Sequence, residues 1–302
     1  MEIRQVKGST YLIDTGMTYI PFYKIDDKAV ILLDSGWAKG EREGLQQLLS
    51  AHGLTVVGIL CSHAHIDHIG NNAYFKQQYG CVIAMPALEA LICRSAVSLK
   101  VYYSSQTLTE VTEHFGHMAC ETDLQIPETA DSIYVCGAKF RLVHTPGHSP
   151  AHTCIETPDN VAYLGDALIS AEVMKSAKIP YAYILKEDLK SKLKLHDLHC
   201  SHFILSHKGV YQDIRPLVID NINFYKRTAA KVYSSIDGAM TTEELTKAVI
   251  RDFNLSVNSV NRYRFIERML RSYVEYLHEV GAIELTIADG FLKYKKAQPA
   301  GQ

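Results

Sequence analysis

The chain has 302 residues, 47% of them hydrophobic, with 31 basic against 33 acidic side chains. That length and apolar content suit one large domain plus a small one. The near-balanced charge argues against strong non-specific attraction to nucleic acid or to an anionic membrane. No apolar run approaches a membrane span and residues 1–7 carry no signal-peptide core, while seven dispersed cysteines without a C-x-x-C pair point to reduced thiols in the cytoplasm.

Residues 3–35 read as short strands with turns, and the run Ile31-Leu32-Leu33 ends at Asp34. Asp34 is a candidate to orient a metal-bound histidine, with a plain turn role as the alternative. Glu41 to His52 reads as a helix with Leu45, Leu48 and Leu49 on one face. The apolar run Val56 to Leu60 is a buried strand, and it leads into His63-Ala64-His65-Ile66-Asp67-His68, four potential metal ligands within six residues. In extended backbone His63 and His65, two apart, point the same way and form a chelate. Asp67 and His68 follow where the chain turns towards a helix, within reach of a second point. Imidazole with carboxylate suits zinc, or iron and manganese. A helix is expected from Asn71 to Tyr79 and a short strand from Cys81 to Met85. Between Pro86 and Pro127 helical stretches with Tyr102, Tyr103, Phe115 and Met118 break the alternation. His114 and His117 are expected at the surface, with a pocket as the alternative.

Three more ligand candidates each end an apolar run. Phe140 to Val143 is a strand followed by a Pro-Gly break and His148. Val161 to Leu164 leads through Gly165 to Asp166, and Phe203 to Leu205 leads to His207. His144 is expected in its strand and His152 beside the ligands. Tyr181 and Tyr183 follow Asp166 in a stretch that also carries Lys175 and Lys178. Lys186, Lys190 and Lys194 mark the solvated face of a helix whose neighbouring face carries Leu185, Leu189 and Leu193. From about Ile236 the character changes. Thr241 and Glu244 make a capping box opening a helix through Phe253, and a longer helix from Asn261 to Val280 carries the stripe Ile266, Leu270, Val274 and Leu277. Ala282 to Ile287, a turn at Asp289-Gly290, and Phe291 to Lys295 read as a hairpin. Helices followed by a hairpin resemble a winged helix. Arg264, Arg268 and Arg271 share a helix face that is a candidate for phosphate contacts, but from Ser234 onward nine basic residues meet nine acidic ones, so a partner surface or dimer contact is favoured over nucleic acid. Residues 297–302 read as a disordered tail.

Together the motifs around His63, His148, Asp166 and His207 resemble the metallo-β-lactamase-fold superfamily over roughly residues 10–210. The resemblance implies an α/β, four-layer αββα sandwich over residues 1–233 with a winged-helix-like module over 234–302. It implies two zinc ions per chain, with iron or manganese as replacements. His63, His65 and His148 would hold the first, Asp67, His68 and His207 the second, with Asp166 bridging both. Class B β-lactamases usually place a cysteine at the position of Asp166, and flavodiiron proteins a glutamate at that of His65. β-CASP nucleases carry a large insertion where only 40 residues separate Asp166 from His207 here. What remains is similar to glyoxalase II-like hydrolases, lactonases and a branch with a C-terminal winged-helix-like extension, some members of which cleave RNA.

The expected function is therefore hydrolysis of an ester, thioester or lactone carbonyl of a small-molecule substrate by a hydroxide bridging two metals, whose pKa falls from ~15.7 towards ~7. Asp166 would set the metal–metal separation and Asp67 would orient the hydroxide or pass on a proton. Tyr181 or Tyr183 is the candidate to polarise a lactone carbonyl. A metal-dependent endoribonuclease is the alternative enzyme, and a metal-binding sensor the alternative without catalysis.

Overall fold

In the computed structural model, which describes residues 1–298, two mixed sheets lie face to face. The first begins as an antiparallel meander of β1 (Glu2–Lys7), β2 (Thr10–Asp14), β3 (Tyr19–Lys24) and β4 (Ala29–Leu33). Helix α1 (Ala38–Ala51) then carries the chain to β5 (Thr55–Leu60), parallel to β4. The short α2 (Ile66–Ile69) and α3 (Asn72–Tyr79) lead to β6 (Val82–Pro86), and α4 (Ala87–Ile92), α5 (Ala96–Tyr102) and α6 (Leu108–Phe115) lead to β7 (Leu124–Ile126). Parallel pairing demands such crossovers. Strands covered on both faces read as continuous apolar runs, as Ala29-Val30-Ile31-Leu32-Leu33 does.

The second sheet contains β8 (Ser132–Val135), β9 (Ala138–His144), β10 (Thr153–Glu156) and β11 (Val161–Tyr163). After α7 (Ala171–Ser176) and α8 (Leu185–Leu195) it gains β12 (His202–Ile204), parallel to β11, and β13 (Val210–Tyr211). Leu12, Ile31, Leu33 and Leu60 of one sheet pack on Phe140, Ile155, Tyr163 and Ile204 of the other. Leu45 and Leu49 of α1 and Phe75 of α3 cover the outer face of the first sheet, while Leu195, Leu217 and Val218 cover that of the second. The result is the expected αββα layering. Among the described residues no helix is long and apolar enough to cross a membrane.

The chain continues through α9 (Arg215–Ser234), α10 (Thr242–Asp252), α11 (Val260–Glu279), β14 (Ile283–Ala288) and β15 (Phe291–Lys296). The capping box at Thr241 forms: Glu244 N–H donates to its Oγ1 at 3.3 Å and its own N–H donates to Glu244 Oε2 at 2.8 Å. Asp289 and Gly290 both have positive φ, 56° and 79°, the condition for the two-residue hairpin turn that matches strand twist. Met240 and Tyr294 exchange backbone hydrogen bonds as an isolated bridge beside the hairpin. The apolar stripe of α11 is covered by its own chain, because Ile266, Leu270, Tyr273 and Leu277 pack with Tyr225, Ala229 and Val232 of α9 and with Ile179, Ala182 and Leu185.

Three details depart from the sequence reading. The inner face of α8 is Leu185, Asp188, Ser191, Lys192 and Leu195, whereas Leu193 is 63% exposed. The helix is rotated because Lys192 is buried, donating to Asp188 Oδ2 at 2.6 Å with its ammonium 4.4 Å from the centre of the Tyr225 ring. Ala297 is held by a hydrogen bond from its N–H to Ala282 O, so the tail is ordered at least that far; 299–302 lie outside the described residues. The three arginines of α11 do not present one free basic face. Arg264 pairs with Glu110 of α6 and Arg271 with Glu275, both at 2.9 Å, while Arg268 turns towards the tyrosines of α5.

Ile266 is fully buried and Ile287 is 70% exposed. Ile266→Ala should destabilise the protein by about 2–5 kcal/mol in denaturant unfolding, and Ile287→Ala by about 0.5 kcal/mol or less. Equal effects would show that the α11 core is not formed in solution.

Candidate metal centre

All seven ligand candidates lie beyond the C-terminal ends of β5, β9, β11 and β12, and the fold brings them to one edge of the sandwich. His63 and His65 leave β5 in extended backbone and Asp67 and His68 occupy α2. His148 sits in the turn after β9, where Gly147 has φ +130° and a Cβ would lie 2.1 Å from the backbone nitrogen of Asp188. Only glycine fits there, and it lets the ligand turn pack directly on α8. Gly165, at φ +49°, is similarly confined by His152 Nε2, 2.6 Å from where its Cβ would be.

The ligand atoms form two groups. His63 Nε2 lies 3.0 Å from His65 Nδ1, which lies 3.1 Å from His148 Nε2, and His148 Nε2 is 3.3 Å from Asp166 Oδ2. Four ligands held tetrahedrally at zinc distances are separated by about 3.3 Å. In the second group His207 Nε2 is 3.2 Å from Asp67 Oδ2 and 3.5 Å from Asp166 Oδ1, and His68 Nε2 is also 3.5 Å from Asp166 Oδ1. Asp166 thus turns one oxygen to each group. His68 Nε2 is buried without a hydrogen-bond partner. Three imidazole nitrogens crowded together, and a buried fourth left unpaired, fit a resident cation.

The surrounding hydrogen bonds fix which nitrogen faces the centre. Asp34 Oδ2 accepts from His68 Nδ1 at 2.7 Å and from Ser62 Oγ at 2.6 Å, and Ser62 Oγ in turn accepts from His63 Nδ1 at 2.9 Å. Both Nε2 atoms are thereby aimed inward. Asp34 lies on the Nδ1 side of these rings and is occupied by hydrogen-bond donors, so its proximity to them is that of a support and not of a ligand. His65 is reversed. Its Nε2 donates to Tyr102 OH at 3.1 Å, leaving Nδ1 for the centre. His152 accepts from Asp166 N–H and is hydrogen-bonded to Thr145 Oγ1, and Ser206 Oγ donates to Asp166 Oδ1, so both orient Asp166. His144 stays in β9 with Nε2 on Ala130 O. Tyr181 lies 5.5 Å from the His65 ring and 5.4 Å from the His148 ring, whereas Tyr183 is 39% exposed. His114 and His117 both border a large cavity beside α11.

The sequence reading missed Glu89, and it named Tyr102 and Arg268 without placing them beside this site. Tyr102 fixes the His65 ring. Arg268 lies over Tyr102 at 4.3 Å. Glu89, fully buried, accepts from Ala64 N–H, Ser149 Oγ and Ala151 N–H at 2.9, 2.7 and 2.7 Å, clamping the His63–His65 loop to the His148 loop. Nothing local in the sequence marks the contacts these three make.

The two groups carry different charge. Burial drives His63 and His148 well below the usual imidazole range and His65 to about 3, so the three rings of this group are neutral and ready to bind a cation. In the second group the Asp166 carboxylate pushes His207 up to about 10. Burial opposes charge on His68, but Asp166, Asp67 and Asp34 outweigh it and hold its pKa well above the ordinary value.

Residues 3–207 match the family model of the metallo-beta-lactamase superfamily, and the chain belongs to that superfamily. The hydroxyacylglutathione hydrolase GloC of Haemophilus influenzae is 27% identical over 152 residues, 49% of this chain and 65% of that protein, so the match spans just under two thirds of its length. An atrochrysone carboxyl ACP thioesterase of Passalora fulva is 22% identical over 87% of this chain and 69% of its own. A beta-lactamase domain protein from Burkholderia ambifaria has the same fold, with a TM-score of 0.75 at 16% identity, covering 98% of this chain and 94% of that one.

The charge difference between the groups has a measurable sign. A cation entering the first group at pH 7 meets neutral rings, whereas one entering the second must displace protons from His68 and His207. Zinc loading of metal-free protein at pH 7 should release about two protons per chain or more, and affinity for the second ion should rise with pH towards about 10. Calorimetry in buffers of different ionisation enthalpy measures this. No proton release would contradict the assignment.

Proposed function

We propose that this superfamily member, a hydrolase with a His/Asp metal-binding cluster, cleaves a thioester, or a related ester or lactone, with two zinc ions. The observation that carries the reading is the pair of ligand groups sharing Asp166, one oxygen to each. His63, His65 and His148 would hold the first ion, Asp67, His68 and His207 the second. Bound there, the ions would supply Lewis acidity that ionises water near neutral pH and polarises the carbonyl.

The chain's own residues prepare this chemistry. Ser62, Asp34 and Tyr102 fix the histidine tautomers before substrate arrives, so little reorganisation is needed during reaction. Burial raises the Asp67 pKa, but His68 and His207 outweigh it and keep the carboxylate ionised, the form in which it would hold a cation in the second group. Tyr181, whose OH lies 3.4 Å from Tyr102 OH, stands over His65 and His148 and is placed to donate to an oxygen of the substrate. Tyr183 faces outward and is not assigned this part.

The thioester choice draws on the activities named for the Haemophilus and Passalora relatives. RNA cleavage is the weaker reading, since Arg264 and Arg271 of the expected basic face are engaged by Glu110 and Glu275. A panel of a thioester, a lactone, a bis-aryl phosphodiester, RNA and nitrocefin tests the proposal. The zinc-loaded protein should turn over the thioester most efficiently, and Asp166→Ala should lose both bound zinc and about 10³-fold or more of the rate. Efficient cleavage of RNA or nitrocefin alone would overturn the substrate class, and an unchanged Asp166→Ala the site.

A further inference from the structure

The tautomer of His65 sets the direction of a hydrogen-bonded chain that leads away from the ligand atoms. Nδ1 of this ring lies 3.0 Å from His63 Nε2 and 3.1 Å from His148 Nε2, so it faces the centre and Nε2 carries the proton. That proton goes to Tyr102 OH, at 3.1 Å. A phenol that accepts at its oxygen still has its own proton to give. Among the described residues the other hydrogen-bond partner of the Tyr102 hydroxyl is Tyr181 OH, at 3.4 Å. Arg268 lies over both rings, 4.3 Å from the centre of Tyr102 and 5.5 Å from that of Tyr181, but a guanidinium has no acceptor atom. Tyr102 therefore donates to Tyr181, and the Tyr181 hydroxyl, having accepted there, turns its own proton away from Tyr102. The rest of Tyr181 is fixed. Tyr225 OH donates to its carbonyl at 2.9 Å, Tyr273 OH donates to the carbonyl of Pro180 at 2.8 Å, and Phe265 stacks on its ring with centroids 6.4 Å apart. The 3.4 Å separation is long for two hydroxyls, as catalytic hydrogen bonds commonly are before substrate binds.

We propose that Tyr102 is a positioning residue for the reaction: it passes the hydrogen bond of His65 on to Tyr181 and so commits the Tyr181 hydroxyl to donate to the substrate oxygen. The proposal rests on the part given to Tyr181 above. Without the Tyr102 hydroxyl, Tyr181 loses the donor that fixes its own O–H, and the ring alone does not decide where that proton points. The His65 ring, once it ligates through Nδ1, is a stronger donor at Nε2, and hydrogen bonds in a chain strengthen one another. The first ligand set thus reaches the substrate by a second route, through two phenols contributed by the inserted helices and by the segment after Asp166.

A double-mutant cycle on the full chain tests this, with Tyr102→Phe, Tyr181→Phe and the pair together. Each change removes one hydroxyl and keeps the ring, so the packing under Arg268 is retained. Calorimetry measures binding of acetohydroxamate, a carbonyl-bearing zinc ligand, to the four zinc-loaded proteins, whose metal content is checked by elemental analysis. Each single change should weaken binding about fivefold, and the double should be little weaker than Tyr181→Phe alone, because both act through one hydroxyl. Losses that multiply to about 25-fold, as two independent packing effects would, overturn the proposal, and so does either single variant that binds like the wild type. The visible spectrum of the cobalt-substituted proteins reads the other end of the chain. It should shift in Tyr102→Phe, which takes the partner from His65 Nε2, and stay unchanged in Tyr181→Phe; a spectrum unmoved by Tyr102→Phe would contradict the link to His65. Turnover of an acetyl thioester by the same four proteins separates the two readings. Coupled binding losses without thioester turnover by the wild type would remove the thioester function and leave the relay, while thioester turnover with multiplying losses would do the reverse.

Discussion

The Asp34 carboxylate lies in the interior between the two sheets and accepts four hydrogen bonds, from Ser62 N–H, Ser62 Oγ, His68 Nδ1 and Tyr163 OH, all between 2.6 and 2.7 Å. Every partner is a donor, so a buried carboxylate that would otherwise be costly becomes a fixed hub. The hub needs a particular backbone. Asp34 follows β4 with φ 64°, a conformation that aspartate tolerates better than most residues, and it stands beside the end of β5 because its N–H bonds Leu60 O. One group thereby orients His63 of the first ligand set through Ser62 and His68 of the second directly. The Tyr163 hydroxyl reaches it from the opposite sheet, so the packing of the sandwich and the aim of the ligands are set by the same atoms.

Around that hub the supports are distributed through the chain. Glu89, at the start of the inserted helices, joins the two loops that carry His63, His65 and His148, and burial raises its pKa against three hydrogen bonds that favour the ionised form. The inserted helices also carry Tyr102 to His65 and, through the Glu110–Arg264 ion pair, meet α11. Helix α11 is therefore joined to the metal edge by a short path of contacts, from Arg268 to Tyr102 to His65. The C-terminal segment shares its core with Ile179 and Ala182, which precede α8, and with Leu185 at its start, and α8 buttresses the His148 turn.

The ligand candidates were legible because each lies within a few residues of the end of an apolar run or a few residues further into the same motif, and a strand end is a short and local signal. His63 to His68, His148, Asp166 and His207 could be picked out without knowing which strands pair, and the structure brings them to one edge. The layering was legible for the same reason. The supports were not. Glu89 bonds residues 64, 149 and 151, and Tyr102 meets residues 65, 181 and 268, so their roles exist only after the chain is folded. Arginine spacing on α11 showed that Arg264, Arg268 and Arg271 share a face but not that carboxylates on α6 and α11 would occupy two of them. In α8 the expected apolar face failed at Leu193, which is exposed, and the burial of Lys192 went unseen, because the sequence does not show that Asp188 and the Tyr225 ring meet it inside.

The claim that a single buried carboxylate aims both ligand sets is tested most directly by the zinc content of Asp34→Asn after equilibration with limiting free zinc. Asparagine keeps the size of aspartate but sets an NH2 group against donors, so the hydrogen bonds to Ser62, His68 and Tyr163 cannot all survive. The account predicts a folded protein whose zinc affinity falls about 10- to 100-fold, with loss at both ligand sets. A folded Asp34→Asn protein that holds zinc with the stoichiometry and affinity of the wild type would contradict it.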